Sequence, residues 1–409
     1  MEVGIIGGGF TGLSAGHYLK KRGIPATILE KESIPGGLAI GFKDSTWDWP
    51  LEMHYHHLFS SDYDILNLAD EVGVPINFSR PETSIFFNNH INQFDSPLTL
   101  LSFPYLDPIS KLRVSAITAG LKISPYFPIM DTISASGFLK NTEGSNAYQT
   151  LWEPLFTGKF GHFADQISLS WYWARIKKRS MQLGYPEGGF QNLATKISEK
   201  LNIKYEVNIK SIDNINNKFI INTETNNYSF DKLIFTLSFA QLQKYFPDLK
   251  LPEFKSLGAV NLVLAMNKPF LKDTYWLNIN DRKYPFLALV EHTNFIDPKH
   301  YNNQHLLYIG NYLPANHKYF KFSATRLFKE FLPYLKQINP EFTEESVLNS
   351  RIFKTPFAQP VMETGYKSLL PNPYTLIPNL FVANMQLVYP YDRGTNYAVE
   401  SGRKAVEFI

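Results

Sequence analysis

The chain has no cysteine among its 409 residues, which excludes disulfides and thiolate metal sites and fits a reducing compartment. No run of about eighteen uncharged apolar residues occurs, so no membrane-crossing helix is expected. Charge of one sign is also scarce: 40 Lys and Arg against 37 Asp and Glu leave a net +3, too little to imply a nucleic-acid partner. No secretory leader is read at the start, because the apolar residues there belong to a strand. These absences lead to a cytoplasmic protein, either soluble or peripheral on the inner face of the membrane. In contrast, aromatics are abundant at 15%, with 32 Phe and 23 Tyr. They indicate a wide apolar interior or substrate tunnel, with an aromatic-rich core as the equal alternative. The length exceeds one ordinary core, so two domains are expected.

The most informative stretch is residues 1–40. Val3, Ile5 and Ile6 form an apolar strand, followed by Gly7-Gly8-Gly9-Phe10-Thr11-Gly12 and a helix-like segment that stops at Gly23. A second strand, Ala26 to Leu29, ends in Glu30. Each glycine has its own task in a dinucleotide turn: Gly7 permits the turn, Gly9 lets backbone amides approach a diphosphate, and Gly12 lets helix and strand pack closely. Around Phe10 and Thr11 the helix start offers unpaired N–H groups and a positive dipole end. Glu30 lies where a carboxylate meets a ribose hydroxyl.

Lys31 to Ala39, with the pair Gly36-Gly37 and then Leu38, resembles the second glycine pair of a large flavoprotein group. That group includes protoporphyrinogen oxidase, the amine oxidases, phytoene desaturase and UDP-galactopyranose mutase. The resemblance implies FAD as cofactor and continues through much of the chain. Tyr185 to Leu193 matches the return to the cofactor domain, and Val207 the position that meets adenine through backbone. Arg393, Gly394, Thr395 and Asn396 match the start of the helix that faces the flavin ring. The implied fold class is α/β: a Rossmann-like FAD-binding domain (1–80, 185–240 and 361–409) with an inserted α+β substrate domain (81–184 and 241–360).

Two departures from the group are visible. The strand Ser256 to Phe270 resembles the amine-oxidase strand that brings a lysine near flavin N5, yet that position is Asn261 here. The usual Gly-Asp or Gly-Glu after the last strand is replaced by Asn384-Met385. Amine oxidation of the ordinary kind is therefore not expected.

The remaining candidates are less specific. His54, His56 and His57 lie close in sequence, but in extended backbone the first two share one face and the third takes the other. With no acid to complete a set, no metal is expected. The resemblance places this segment beside the flavin, making His56 a catalytic candidate and bringing Glu52 near flavin or substrate. Glu291 and His292 close an apolar run and supply either an acid/base pair or a capping and turn cluster. The apolar, proline-punctuated stretch from Pro97 to Pro128 reads as a core helix pair or a surface that dips into a bilayer. Together these features predict an FAD-dependent oxidoreductase that transfers hydride between flavin N5 and an apolar, isoprenoid- or lipid-like substrate. The alternative is a redox-neutral enzyme acting on a nucleotide sugar, like UDP-galactopyranose mutase, with Arg175, Arg282, Arg326 or Arg351 on the diphosphate.

Overall fold

A computed structural model describes residues 1–374 and 376–409. Val3–Ile6, Ala26–Leu29, Asn202–Lys204, Lys232–Phe235 and Leu380–Val382 form a parallel five-stranded sheet, with Val3–Ile6 between Ala26–Leu29 and Lys232–Phe235. Its inner strands are apolar and buried, as a sheet covered on both faces requires. Helix Phe10–Lys21 follows the first strand, and helix Thr395–Val406 packs across it. Strand Asn202–Lys204 ends shortly before Val207.

The second sheet is seven-stranded. Its order is Val347–Pro360, Ser256–Met266, His305–Leu313, Ala288–Glu291, Thr274–Ile279, Glu82–Phe87 and His90–Gln93. Glu82–Phe87 and His90–Gln93 form a hairpin, turning through Asn88 and Asn89 at φ 51° and 61°. Such two-residue turns favour asparagine because its side chain tolerates the left-handed region. Helix Ala324–Ile338 covers one face of the sheet with Leu327, Phe331, Leu335 and Ile338, a helical spacing.

Helices Pro97–Ser102, Pro108–Ile123, Ala135–Glu143, Glu153–Phe160 and Leu169–Lys178 build the remaining layer. Helices Pro108–Ile123 and Leu169–Lys178 cap one another. Lys122 Nζ donates to the carbonyls of Ile176, Lys177 and Arg179, while Lys177 Nζ donates to those of Lys122, Ile123 and Ser124. Each lysine satisfies the orphan carbonyls of its partner helix. Ser168 opens Leu169–Lys178, accepting the Ser170 N–H at 3.1 Å.

Candidate active site

The glycine turn and the second glycine pair meet. Gly36 N–H donates to Gly8 O at 3.0 Å, and Gly9 bridges to Gly36. Gly7 has φ +102°, available cheaply only to glycine. A Cβ on Gly12 would lie 1.9 Å from Gly7 O, and one on Gly37 would lie 2.9 Å from Gly9 Cα. The first bond within the following helix is Leu13 N–H to Gly9 O at 2.9 Å, so the amides of Phe10, Thr11 and Gly12 have no partner inside it. The Phe10 side chain turns away into the core, edge-on to Phe190. Buried Glu30 closes the cradle, accepting from the amides of Gly8 and Glu32. Val207 N–H donates to Glu30 O at 2.9 Å, while Lys31 is exposed and Leu38 half-buried at the rim.

At the other end the Thr395–Val406 helix begins behind Arg393 and Gly394. Thr395 is buried. Asn396 is occupied elsewhere: its Oδ1 accepts the Ile65 N–H at 3.2 Å and so caps helix Tyr63–Glu71. That helix needs an outside cap because Asp62, just before it, accepts instead from Phe59 N–H. Asn384 and Gln386 also have structural work, tying the loop after the last sheet strand to Leu237 O and Phe239 N–H.

Between these ends lies a polar chain that runs along the first three strands of the seven-stranded sheet. Asn261 Nδ2 donates to His54 Nδ1 at 2.8 Å, which places the His54 proton on Nε2, 2.8 Å from Thr355 Oγ1. His56 Nδ1 donates to His54 O at 2.6 Å, leaving the lone pair on Nε2. Burial pushes the imidazoles down, His54 to about 3 and His56 to about 4, so both are neutral at pH 7. Tyr55 reaches Tyr312, and the Arg393 guanidinium lies over the Tyr312 ring and donates to its hydroxyl. Arg393 Nε also donates to Gln359 Oε1 at 3.1 Å, and Gln359 Nε2 donates to Asp392 Oδ1 at 3.1 Å. Asp392 Oδ2 finally accepts from Lys159 Nζ (3.1 Å) and Arg175 Nη1 (2.8 Å).

Of the two readings of Glu291 and His292, the geometry fits the turn cluster. Glu291 accepts the N–H groups of Phe270 and Leu271 at 3.0 and 3.1 Å and the Thr293 hydroxyl at 3.3 Å. It therefore organises a turn. His292 Nε2 meets Tyr301 OH at 2.9 Å among the rings of Tyr185 and Tyr308. Both are fully enclosed, whereas His56, with Nδ1 bound to the His54 carbonyl, keeps Nε2 without a partner among the described residues. Glu52 is likewise tied down, accepting from Tyr185 OH at 2.6 Å and Phe190 N–H at 2.8 Å. Burial raises it to about 7. Lys159, Gln359, Tyr312 and Asp392 belong to the site without having been singled out.

The family model of flavin-containing amine oxidoreductases matches residues 10–409. The chain belongs to that family. Its cofactor is FAD, and the oxidoreductase fits it: opposed glycines leave no side chain in the cradle, and the free helix amides suit a diphosphate. Among curated relatives, the chain is 30% identical over 105 residues to 15-cis-phytoene desaturase of Narcissus pseudonarcissus, covering 24% of this chain and 18% of that protein. It is 25% identical over 199 residues to coproporphyrinogen III oxidase of Staphylococcus aureus, covering 45% and 41%. The matched stretches thus span less than half the length of these relatives. Among solved structures, a protein from Exiguobacterium sp. 255-15 provisionally named a protoporphyrinogen oxidase superposes with a TM-score of 0.79 at 17% identity, covering 99% of this chain and 98% of that one. Reduced UDP-galactopyranose mutase superposes with a TM-score of 0.77 at 16% identity, covering 99% and 94%. At such identities the likeness is one of fold. Among the described residues, no helix of the oxidoreductase is long and apolar enough to cross a membrane.

Proposed function

We propose that the oxidoreductase moves hydride between flavin N5 and an apolar, isoprenoid- or lipid-like substrate. The observation that carries this reading is the aromatic wall beside Arg393. Tyr391 stacks on Tyr397 at 4.9 Å, Trp173 lies 6.2 Å from Tyr391, and Tyr55 meets Trp276 at 4.9 Å. With asparagine in place of the lysine at position 261, the site has an apolar surface and no amine-oxidase water bridge.

In this reading Gly7, Gly9, Phe10, Thr11 and Gly12 present backbone to the diphosphate, and Glu30 and Lys31 take the ribose side. Gly36, Gly37 and Leu38 follow the cofactor inward. Val207 meets adenine through its carbonyl, since its N–H is engaged with Glu30; an open cavity of about 280 Å³ lies beside it. Arg393, Gly394, Thr395 and Asn396 form the ring end, Asn396 through backbone. When bound, the flavin supplies the two-electron exchange. Oxidation of a C–H bond also releases a proton, and the neutral Nε2 of His56 receives it.

The reading includes peripheral contact with a membrane through helices Pro97–Ser102 and Pro108–Ile123. Leu98 (77%), Leu112 (69%) and Ile123 (81%) are exposed, together with Leu101 and Ile109. Lys111, Arg113 and Lys122 lie among them with Asp107 the sole acid, a composition suited to an anionic lipid surface. Anaerobic holoenzyme mixed with fractionated isoprenoid lipids tests the function: at least one fraction bleaches the flavin absorbance. Indifference to every lipid fraction refutes it.

A second reading, redox-neutral action on a nucleotide sugar, is favoured by one observation: Arg175 reaches the site. The other three arginines do not, since Arg282 pairs with Glu153, Arg351 with Asp44, and Arg326 lies on Phe322. It expects turnover of UDP-galactopyranose only after dithionite reduction, with no net electron consumption.

A further inference from the structure

Three cations converge on one carboxylate. Lys159 comes from helix Glu153–Phe160, Arg175 from Leu169–Lys178 and Arg393 from the loop before Thr395–Val406. Asp392 already accepts four donors: Lys159, Arg175, Gln359 Nε2 and the Arg393 amide. The Lys159 side chain is 12% exposed, and no carboxylate other than Asp392 acts on it. Three cationic side chains share one carboxylate, so up to two positive charges lack a counter-charge, the full two once a bound anion holds the proton on Lys159. Burial pushes Lys159 down to about 7 despite Asp392, as expected of a cation short of counter-charge.

A second observation is independent of charge. Trp171 is 3% exposed, its ring lies 4.9 Å from Lys159 Nζ and 5.0 Å from the Arg175 guanidinium, and its indole N–H has no acceptor. Indole nitrogen only donates, and a buried donor is ordinarily paired. A bound acceptor would supply the partner this N–H lacks, beside a ring that two of the cations overlie. Arg175 is 45% exposed and opens this cluster to the outside.

We propose that Lys159, Arg175, Arg393 and the Trp171 N–H form a seat for the phosphate group of a phosphate-ester substrate. The charge count selects phosphate over carboxylate: a phosphate monoester dianion or a diphosphate balances the excess of two, whereas one carboxylate leaves half of it. Guanidinium forks also match phosphate geometry. Because Arg393 immediately precedes the helix start assigned to the flavin ring, the seat fixes one end of the substrate. The remainder lies along the aromatic wall. The inference rests on the proposed function in placing substrate at that wall, and it deepens that reading from an apolar molecule to an amphiphile with a phosphate head.

The test uses holoenzyme with inorganic pyrophosphate, farnesyl phosphate, UDP and farnesol, following the flavin spectrum and the binding heat. Pyrophosphate binds wild type, and affinity falls about tenfold or more in both Lys159→Met and Arg175→Gln, with flavin content showing that both variants are folded. Farnesyl phosphate binding tighter than both farnesol and UDP supports the seat and the lipid-like reading together. UDP binding tighter than farnesyl phosphate, weakened by the same substitutions, supports the seat and overturns the lipid-like substrate. Farnesol binding as tightly as farnesyl phosphate, with pyrophosphate silent, overturns the seat and leaves the proposed function standing. Pyrophosphate binding unchanged in both variants also overturns the seat.

Discussion

Gly12→Ala isolates the demand of the dinucleotide cradle from the general cost of altering a helix. An added Cβ would lie 1.9 Å from Gly7 O, 3.1 Å from Gly7 C and 3.3 Å from Ile5 Cγ2. Backbone cannot swing aside as a side-chain end does, so the helix must move by about 1 Å or more to restore contact. It has little room on its other side, where a Cβ on Gly402 would lie 2.2 Å from Thr11 O. Overpacking of this kind costs about 1–3 kcal/mol or more. At about 2 cal/mol/K per residue, a chain of this size shifts its midpoint by only about 1 °C per kcal/mol, so melting temperature alone is a blunt readout. Flavin retention is sharper, because the displaced amides are those that face the diphosphate. The matched control is Gly120→Ala, with nothing within 4 Å on an exposed helical turn, which stabilises by about 0.5–1 kcal/mol. Both variants are purified without added FAD, and bound flavin is measured by absorbance and denaturant titration. Gly120→Ala retains its flavin and gains stability; Gly12→Ala loses most of its flavin. A Gly12→Ala protein with full flavin and unchanged stability refutes the close-approach argument.

Lys122→Met and Lys177→Met each remove three lysine–carbonyl bonds between two helix ends. Each costs about 1 kcal/mol after allowance for solvent exposure, and the double variant loses less than the sum, which chemical denaturation of all four proteins measures. Glu291 is raised from 4.5 to about 7 by burial, so its contribution to stability is present below pH 4.5 and lost as pH rises through about 7. Denaturation at pH 5 and 8.5 should therefore show wild type losing about 2–3 kcal/mol relative to Glu291→Gln, and parallel pH profiles would contradict the assignment. Replacing Leu98, Leu112 and Ile123 together with serine should reduce sedimentation with anionic phosphatidylglycerol vesicles at least tenfold while flavin content is kept. Equal sedimentation of the variant rejects that face as the contact.

The first forty residues were readable because their chemistry is local. The strand, the spaced glycines and Glu30 act on one another across a single turn, and Gly7, Gly12 and Gly37 have the conformations and close approaches that the pattern demands. The Lys159–Asp392 cluster was not readable, since its partners are 233 and 217 residues apart in sequence and acquire meaning only when two helices and a late loop meet. Glu291 and His292 look like an acid/base pair in one dimension. Sequence holds no sign that the amides of Phe270 and Leu271 would turn toward one and Tyr301 toward the other. Asn396 illustrates the same limit, for its side chain serves a helix more than three hundred residues earlier.

The parallel sheet has a consequence for biosynthesis. Its central strand, Val3–Ile6, pairs with residues 26–29 on one side but needs residues 232–235 on the other, and the helix that closes against Thr11 at Gly402 comes later still. At about 5–20 residues per second, some 383 residues of translation (395 − 12) separate the glycine turn from that helix, roughly 20–80 s. Throughout that time the nascent chain carries a cradle half-built, with an unpaired apolar strand edge. Cofactor capture in the cell is thus a late event, gated by the ribosome reaching the far end of the fold, and contacts of such long sequence separation form slowly. Helper proteins that shield strand edges would act during that interval, before any flavin can hold the two ends together.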